Sequence, residues 1–205
     1  MEVLVITGGI GSGKSEACRI IQETYGCGVY SADSKVKDLY YRYPGIVTEI
    51  EFTLDVALRG DDGVFIPGLL ADVIFNDRKA LESVEKIVFP ALVADFEAWS
   101  ERYFNDAFVV FESATILEKT YFKDFGDRII LIDAPFEMRL ERACKRDAMS
   151  KEKILTRMQN QPMMNMISEG RILSEADVVI CNDGDIHSLK QKLTQAIDNI
   201  FCLNR

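Results

Sequence analysis

A glycine-rich octapeptide near the N-terminus constrains the fold of this 205-residue chain more than any other feature. It fits the pattern G-x-x-x-x-G-K-[ST] between an apolar run and a helical pattern, and it reads Gly8-Gly9-Ile10-Gly11-Ser12-Gly13-Lys14-Ser15. Glycines let the backbone turn so that successive N–H groups face one anion, and the following helix adds the positive end of its dipole. The pattern therefore predicts a nucleotide site, with ATP-binding residues Gly9, Ile10, Gly11, Ser12, Gly13, Lys14, Ser15 and Glu16.

Two residues of this loop carry more specific predictions. Lys14 is a candidate catalytic residue, because a lysine at this position bridges the β- and γ-phosphates and stabilises charge on the transferred group. Ser15 is the candidate Mg²⁺ ligand through its hydroxyl. The alternative is a glycine-rich turn that binds nothing, which is disfavoured because each additional glycine costs conformational entropy on folding.

Five short runs have the composition of β-strands that are buried on both faces. Most are apolar throughout instead of alternating with polar residues, and they span residues 3–7, 28–31, 107–111, 128–132 and 178–181. Helical patterns separate them, for example over 16–25 and 136–146. Strands that alternate with helices predict an α/β fold, with a doubly wound parallel sheet flanked by helices.

The length of the chain fits one domain, 1–205, that carries two insertions. The first covers residues 40–104, where apolar residues recur at helical spacing, and we expect it to bind the acceptor substrate. Pro90 should break a helix within it. The second covers residues 142–175, a charged segment poor in β-branched residues, and it predicts a mobile helical lid.

Polar side chains follow four of the predicted strands, namely Asp33, Glu112, Asp133 and Asn182. Ligands bind at the carboxyl edge of such sheets, so we expect these groups near the phosphate loop. Asp33 is the candidate catalytic base, because transfer to an alcohol needs a carboxylate that orients the hydroxyl and accepts its proton. Each has a structural alternative as a strand end or turn residue, and for Asp33 it is the N-cap of a helix beginning near Lys35.

Three arginines after the fourth predicted strand have the spacing i, i+3 and i+7, and these are Arg139, Arg142 and Arg146. This spacing predicts that they share one face of a helix. We expect Arg142 and Arg146 to act as catalytic charges on the transferred phosphoryl group. The alternative is a solvated surface stripe. Arg157 and Arg171 are weaker candidates further along the lid.

Composition argues against several classes of function. The net charge of −9, from 24 basic and 33 acidic residues, disfavours nucleic acid as a partner. No stretch reaches the ~18 apolar residues of a membrane span, and the N-terminus lacks the segments of a signal peptide. A single histidine argues against histidine-rich metal sites, and five cysteines without a C-x-x-C pair predict reduced thiols in a cytoplasmic protein. We expect a monomer or a weak homo-oligomer.

The chain resembles the dephospho-CoA kinases over about residues 3–200. Thr7 and the octapeptide look like the opening loop of that family, and Ser31-Ala32-Asp33 is similar to its acidic motif after the second strand. The further matches are the third-strand motif from Glu112 to Glu118, the lid residues Arg139, Arg142, Arg146, Asp147, Arg157 and Gln161, and the last strand with Asn182.

The resemblance implies ATP-dependent phosphorylation of the ribose 3′-hydroxyl of dephospho-CoA, the last step of coenzyme A biosynthesis, with Mg²⁺ as cofactor. It also implies a P-loop kinase fold with a five-stranded sheet of order 2-3-1-4-5, and Asn182 on the adenine side of ATP. The acceptor-binding residues that we expect on this basis are Asp33, Glu112, Arg139 and Gln161.

The chain departs from the pattern of this family in the third-strand motif, in a lid that is several residues longer between Gln161 and Ala176, and at two single positions. Phe89 stands where a histidine is usual, and Glu16 stands where threonine is common, although its backbone N–H is retained. The alternative function is another P-loop kinase acting on a nucleoside or nucleotide, against which the long insertion argues. An Asn-Lys-x-Asp motif would support a third possibility, a nucleotide-dependent switch, and the sequence lacks it.

Overall fold

The computed structural model describes residues 1–159, 161 and 175–203. Five strands form one parallel sheet of order β2-β3-β1-β4-β5, with β1 at Glu2–Thr7, β2 at Val29–Ser31, β3 at Phe108–Glu112, β4 at Arg128–Asp133 and β5 at Val178–Cys181. Each predicted strand agrees with an observed one to within one residue at either end. The predicted α/β fold and the strand order implied by the resemblance are confirmed.

The central strands are apolar because both of their faces are covered. All five residues of β3 are buried, as are the last four of β1. One face of the sheet packs on helix α1 (Lys14–Tyr25) and helix α8 (Ile186–Ile200). The register pairs Ile6 with Glu112, so the carboxyl ends of β1 and β3 lie side by side where the phosphate loop begins.

Two compact units make up the chain, one of residues 1–31 with 103–205 and the other of residues 32–102. The second unit consists of helices α2 (Ala32–Arg42), α3 (Pro44–Leu54), α4 (Pro67–Asn76) and α5 (Arg78–Ser100). It has its own apolar core, formed by Val47, Ile50, Leu58, Phe65, Leu70, Val84 and Val88. The region expected to be helical from its apolar spacing therefore folds around buried residues of its own.

The expected break at Pro90 is wrong, because α5 continues through it. A proline inside a helix costs about 3 kcal/mol, since its ring displaces a backbone hydrogen bond. Burial of one face outweighs this cost, since Val84, Val88, Leu92 and Phe96 lie at spacings of four and are all buried. Pro90 itself is exposed, so water can hydrate the carbonyl that loses its partner.

Helices α6 (Phe136–Asp147) and α7 (Lys151–Gln159) form a helical hairpin at the start of the region predicted as a lid. They pack on one another through Leu140, Ala143, Ile154 and Met158. The rest of that region, residues 160 and 162–174 with Arg171, lies outside the described residues. Among the helices that the structure describes, none has the length and apolarity to cross a membrane.

Candidate active site

The phosphate loop between β1 and α1 requires glycine at two positions where the backbone is left-handed and closely packed. Gly11 has φ of 75°, and a Cβ there would lie 2.1 Å from the carbonyl oxygen of Arg139. Gly13 has φ of 100°, and its Cβ would lie 2.3 Å from Nδ2 of Asn182. Both the turn of the loop and its approach to neighbouring elements therefore depend on the absence of side chains.

The amine of Lys14 lies over the loop from which its helix starts. Nζ donates to the carbonyl oxygens of Gly8 at 2.8 Å and Gly9 at 3.3 Å. The backbone bond from Ala17 to Gly13, at 2.9 Å, is the first of the helix, so the amides that precede it point out of the helix end. The amides at the helix end and the lysine amine therefore both lie at the loop, which is where the sequence predicts the phosphates, and the exposed side chain of Ser15 is next in sequence.

Glu16 directs its carboxylate away from the loop. Its oxygens accept from Arg19 at 2.5 Å and 3.1 Å, and hydrogen bonding to this guanidinium lowers the pKa of the Glu16 carboxyl. The side chain that replaces the usual threonine is therefore held on the outer surface of α1 by Arg19. The contact predicted for Glu16 at the phosphates therefore rests on its backbone N–H and not on its side chain.

Residues far apart in sequence meet at the outer side of the loop. The amide of Ile10 donates to Oε1 of Gln161 at 3.0 Å, and Nδ2 of Asn182 donates to the carbonyl oxygen of Ser12 at 2.9 Å. Arg142 in turn donates to the carbonyl oxygen of Asn182 at 3.1 Å. Two of the predicted site residues, Gln161 and Asn182, are thereby bonded to the loop, and Arg142 is connected to it through Asn182.

Glu112 ends β3 beside the loop and is only 8 % exposed. Its Oε2 accepts from the hydroxyl of Ser31 at 2.6 Å, and no ion pair with Glu112 occurs within the part of the chain that the structure describes. A buried carboxylate whose bonded partner is a neutral hydroxyl is suited to a cation. An acid at the end of a strand is also what holds Mg²⁺ in P-loop enzymes, so Glu112 and Ser15 fit this metal.

Asp33 lies in the unit of residues 32–102, two positions after β2 ends. Helix α2 begins at Ala32, so the carboxylate belongs to the first helical turn and does not precede a helix that begins near Lys35. The residue is exposed. Its place after the carboxyl end of a strand is the one that the sequence predicted.

The three arginines of α6 do not lie in a common environment. Arg139 is 2 % exposed, with NH1 at 3.6 Å from Oδ1 of Asp133, and burial lowers its pKa while the charge of Asp133 opposes that shift. Arg142 is half-buried, whereas Arg146 is 60 % exposed and pairs with both oxygens of Asp147 at 2.6 Å and 3.1 Å. The arginines are therefore not a uniformly solvated stripe.

Comparison with known proteins identifies the family of this chain. The family model described as CoaE: Dephospho-CoA kinase matches residues 2–188. A dephospho-CoA kinase of Porphyromonas gingivalis is 37% identical over 161 residues, which cover 78% of each chain. One of Aquifex aeolicus is 28% identical over 200 residues and 98% of each chain. The chain belongs to the dephospho-CoA kinase family.

Solved structures show the same fold. The protein TT1252 from Thermus thermophilus superposes with a TM-score of 0.80 at 24% identity and covers 97% of each chain. A dephospho-CoA kinase from Campylobacter jejuni has a TM-score of 0.58 at 22% identity, again over 97% of each chain. Shikimate kinase from Acinetobacter baumannii, 15% identical over 98% of this chain and 94% of its own, has a TM-score of 0.54. The fold is therefore that of P-loop kinases.

Sequence reasoning named Ser31 and Asp147 only as parts of motifs and missed the contacts by which they hold residues predicted for the site. Ser31 donates to Glu112, and Asp147 binds both Arg146 and Arg157, the latter at 2.8 Å. A signal was present for each, because Ser31 opens the acidic motif and Asp147 directly follows Arg146. The sequence does not show which residues Ser31 and Asp147 contact, because those contacts depend on how the strands and helices pack.

Proposed function

We propose that this protein transfers the γ-phosphoryl group of ATP to the ribose 3′-hydroxyl of dephospho-CoA, giving coenzyme A and ADP in the last step of coenzyme A biosynthesis. The observation that carries the proposal is the phosphate loop with Lys14, in a chain that matches the dephospho-CoA kinase family over residues 2–188. The proposed nucleotide contacts are the loop from Gly9 to Glu16 and, on the adenine side, Asn182.

The proposed cofactor is Mg²⁺, held by Ser15 and Glu112. When bound, Mg²⁺ neutralises charge on the phosphates and helps to orient them. The exposed hydroxyl of Ser15 and the buried carboxylate of Glu112 supply the oxygen atoms that this ion prefers. Mg²⁺ is usually held by one or two carboxylates and keeps several waters, so phosphate oxygens and water would complete its coordination here.

Asp33 is the proposed catalytic base. Its carboxylate orients the acceptor hydroxyl and accepts its proton as the bond from oxygen to phosphorus forms. Support comes from its exposure and from its place after the carboxyl end of β2, since ligands of such sheets bind at that edge. The helical region predicted over residues 40–104 is the proposed acceptor-binding region, where the pantetheine arm would contribute binding energy remote from the reaction.

The proposed role of the lid is to bring positive charge to the transferred phosphoryl group. Arg142 and Arg146 would supply that charge in the closed state. The contact from Arg142 to Asn182 supports this for Arg142, because it lies next to the residue that holds Ser12. All five cysteines are free thiols, which suits the proposed cytoplasmic location, and we expect a monomer or a weak homo-oligomer.

The test is a coupled assay of ADP release with three acceptors, namely dephospho-CoA, AMP and adenosine, and with no acceptor as the control. We expect kcat/KM for dephospho-CoA to exceed that for AMP and adenosine by orders of magnitude, because only dephospho-CoA carries the pantetheine arm. Equal values or a preference for AMP would indicate the alternative, a nucleoside or nucleotide kinase. If the protein released ADP as fast without an acceptor as with one, it would be a nucleotide hydrolase.

The base is tested by Asp33→Asn, which preserves size and removes the proton acceptor. We expect kcat to fall about 10²- to 10⁴-fold, while nucleotide affinity changes no more than a few-fold. The matched control is Asp38→Asn, an exposed aspartate on the same helix α2, which should leave kcat unchanged. Turnover of folded Asp33→Asn at the wild-type rate would refute the assignment and make Glu112 the next carboxylate to test.

A further inference from the structure

One peptide group of the phosphate loop, that of Ile10, is held by a residue that lies 151 positions further along the chain. The amide of Ile10 donates to Oε1 of Gln161 at 3.0 Å. Gln161 is 7 % exposed, so this bond forms away from bulk water. A buried amide that loses its acceptor costs about 1–3 kcal/mol, so the side chain of Gln161 stabilises one orientation of the Ile10 peptide.

The side chain of Ile10 makes a second connection to the same elements. It packs against the apolar cluster that joins α6 to α7, which contains Leu140, Ala143, Ile154 and Met158. Gly11, the next loop residue, lies so close to α6 that a Cβ would be 2.1 Å from the carbonyl oxygen of Arg139. Backbone, side chain and close packing thus fix Ile10 and Gly11 against the α6–α7 hairpin.

Ion pairs stabilise the α6–α7 hairpin that makes these contacts. Asp147, the last residue of α6, accepts from Arg146 at 2.6 Å and from Arg157 of α7 at 2.8 Å. The pKa of the Asp147 carboxyl is lowered, chiefly by its hydrogen bond with Arg146. Gln161 follows α7, so its position depends on the apolar and ionic contacts that hold α7 against α6.

We propose that Gln161 is a positioning residue for the phosphate loop, which couples the α6–α7 hairpin to the nucleotide site, and that it is not a contact of the acceptor. This inference rests on the proposed nucleotide site. With the Ile10 peptide fixed, the amides that follow it point at the phosphates before nucleotide binds, so less ordering remains to be done on binding. The low exposure of Gln161 and its bond to Ile10 leave little of it for a second ligand.

The experiment compares Gln161→Met with Gln159→Met. Methionine has nearly the length and volume of glutamine but lacks the amide oxygen, so the first variant removes the acceptor of the Ile10 amide and keeps the packing. Gln159 is exposed on α7, which makes the second variant a control for the same substitution two residues away. Calorimetric titration with Mg·ADP in the absence of acceptor measures nucleotide affinity, and steady-state assays measure KM for each substrate.

For Gln161→Met we expect a Kd for Mg·ADP that is about 3- to 10-fold weaker, the effect of losing one hydrogen bond. We expect KM for dephospho-CoA to stay within about twofold. Hydrogen exchange should become faster in the peptide that contains Ile10, and Gln159→Met should match wild type in every measurement. An unchanged Kd for Mg·ADP would overturn the proposal, and a rise in KM for dephospho-CoA alone would make Gln161 an acceptor contact.

Two measurements separate this proposal from the proposed function. Nucleotide affinity and hydrogen exchange require no acceptor, so they test Gln161 even if dephospho-CoA is not the substrate. Turnover of the wild-type protein with dephospho-CoA tests the function and does not depend on Gln161. If Gln161→Met proves unstable, hydrogen exchange of wild type still decides, since an Ile10 segment that exchanges as fast as exposed backbone would contradict the bond.

Discussion

Replacing Gly11 by alanine changes the geometry of the phosphate loop but leaves the motif G-x-x-x-x-G-K-[ST] intact, because Gly11 is one of its variable positions. The added Cβ would lie 2.1 Å from the carbonyl oxygen of Arg139 and 2.8 Å from its carbonyl carbon, whereas ordinary contact begins at 3.4 Å. The opposing atoms are backbone atoms in the first turn of α6, so no side chain can rotate away. The loop and the helix must therefore move apart by more than an ångström.

The size of the effect follows from two contributions. An alanine at φ of 75° costs about 1–2 kcal/mol wherever it occurs. Displacement of the loop by about 1 Å moves the phosphate-binding amides and Lys14 out of place, and a misplacement of that size can cost about 10²-fold in rate. We expect Gly11→Ala to lower kcat/KM for ATP about 100-fold, measured by ADP release at saturating acceptor.

Gly26→Ala is the matched control because it shares the strain without the contact. Gly26 ends α1 with φ of 70°, and a Cβ there would meet nothing within 4 Å. We expect it to lower the free energy of unfolding by about 1 kcal/mol and to leave kcat/KM unchanged. If Gly11→Ala loses stability and keeps its kinetics in the same way, the loop does not depend on its contact with Arg139.

Two further predictions concern charge. Lys14→Ala should lower kcat by about 10²-fold or more with little change in Tm, because it removes positive charge from the transferred phosphate, and near-normal turnover would remove the phosphate-loop interpretation. The lowered pKa of Asp147 implies stability that is present above about pH 4, the ordinary pKa, and is lost as pH falls through the folded value. Thermal unfolding from pH 7 to pH 3 should therefore show a smaller acid-dependent loss for Asp147→Asn than for wild type, and parallel curves would refute this.

The sheet could be predicted from sequence because its strands are buried on both faces. A strand such as Phe108–Glu112 has no polar face, so it reads as a continuous apolar run, and the helices between such runs imply parallel order. The loop could be predicted for a related reason. Its glycines are required by local backbone geometry, and local geometry is what a short sequence pattern records.

The contacts that complete the site could not be predicted, because they depend on packing between distant segments. Gln161 and Ile10 are 151 residues apart, and nothing near either residue indicates that one accepts from the other. The helix break predicted at Pro90 was wrong for the same reason. The free energy that a proline costs a helix is smaller than the free energy gained by burying the apolar residues around it in α5. The sequence shows the local free-energy cost of a residue such as proline, but only the tertiary structure shows whether packing outweighs it.

The arginines of α6 show how spacing alone falls short. Arg139 and Arg146 are seven residues apart, so they point in nearly the same direction but lie about 10 Å apart along the helix axis. At one end the first turn of α6 touches the phosphate loop, which buries Arg139 beside Asp133. At the other end Arg146 is exposed and held by Asp147. Direction around a helix predicts which residues share a side, but depth along it decides which of them lie beside the loop, and only the structure supplies that depth.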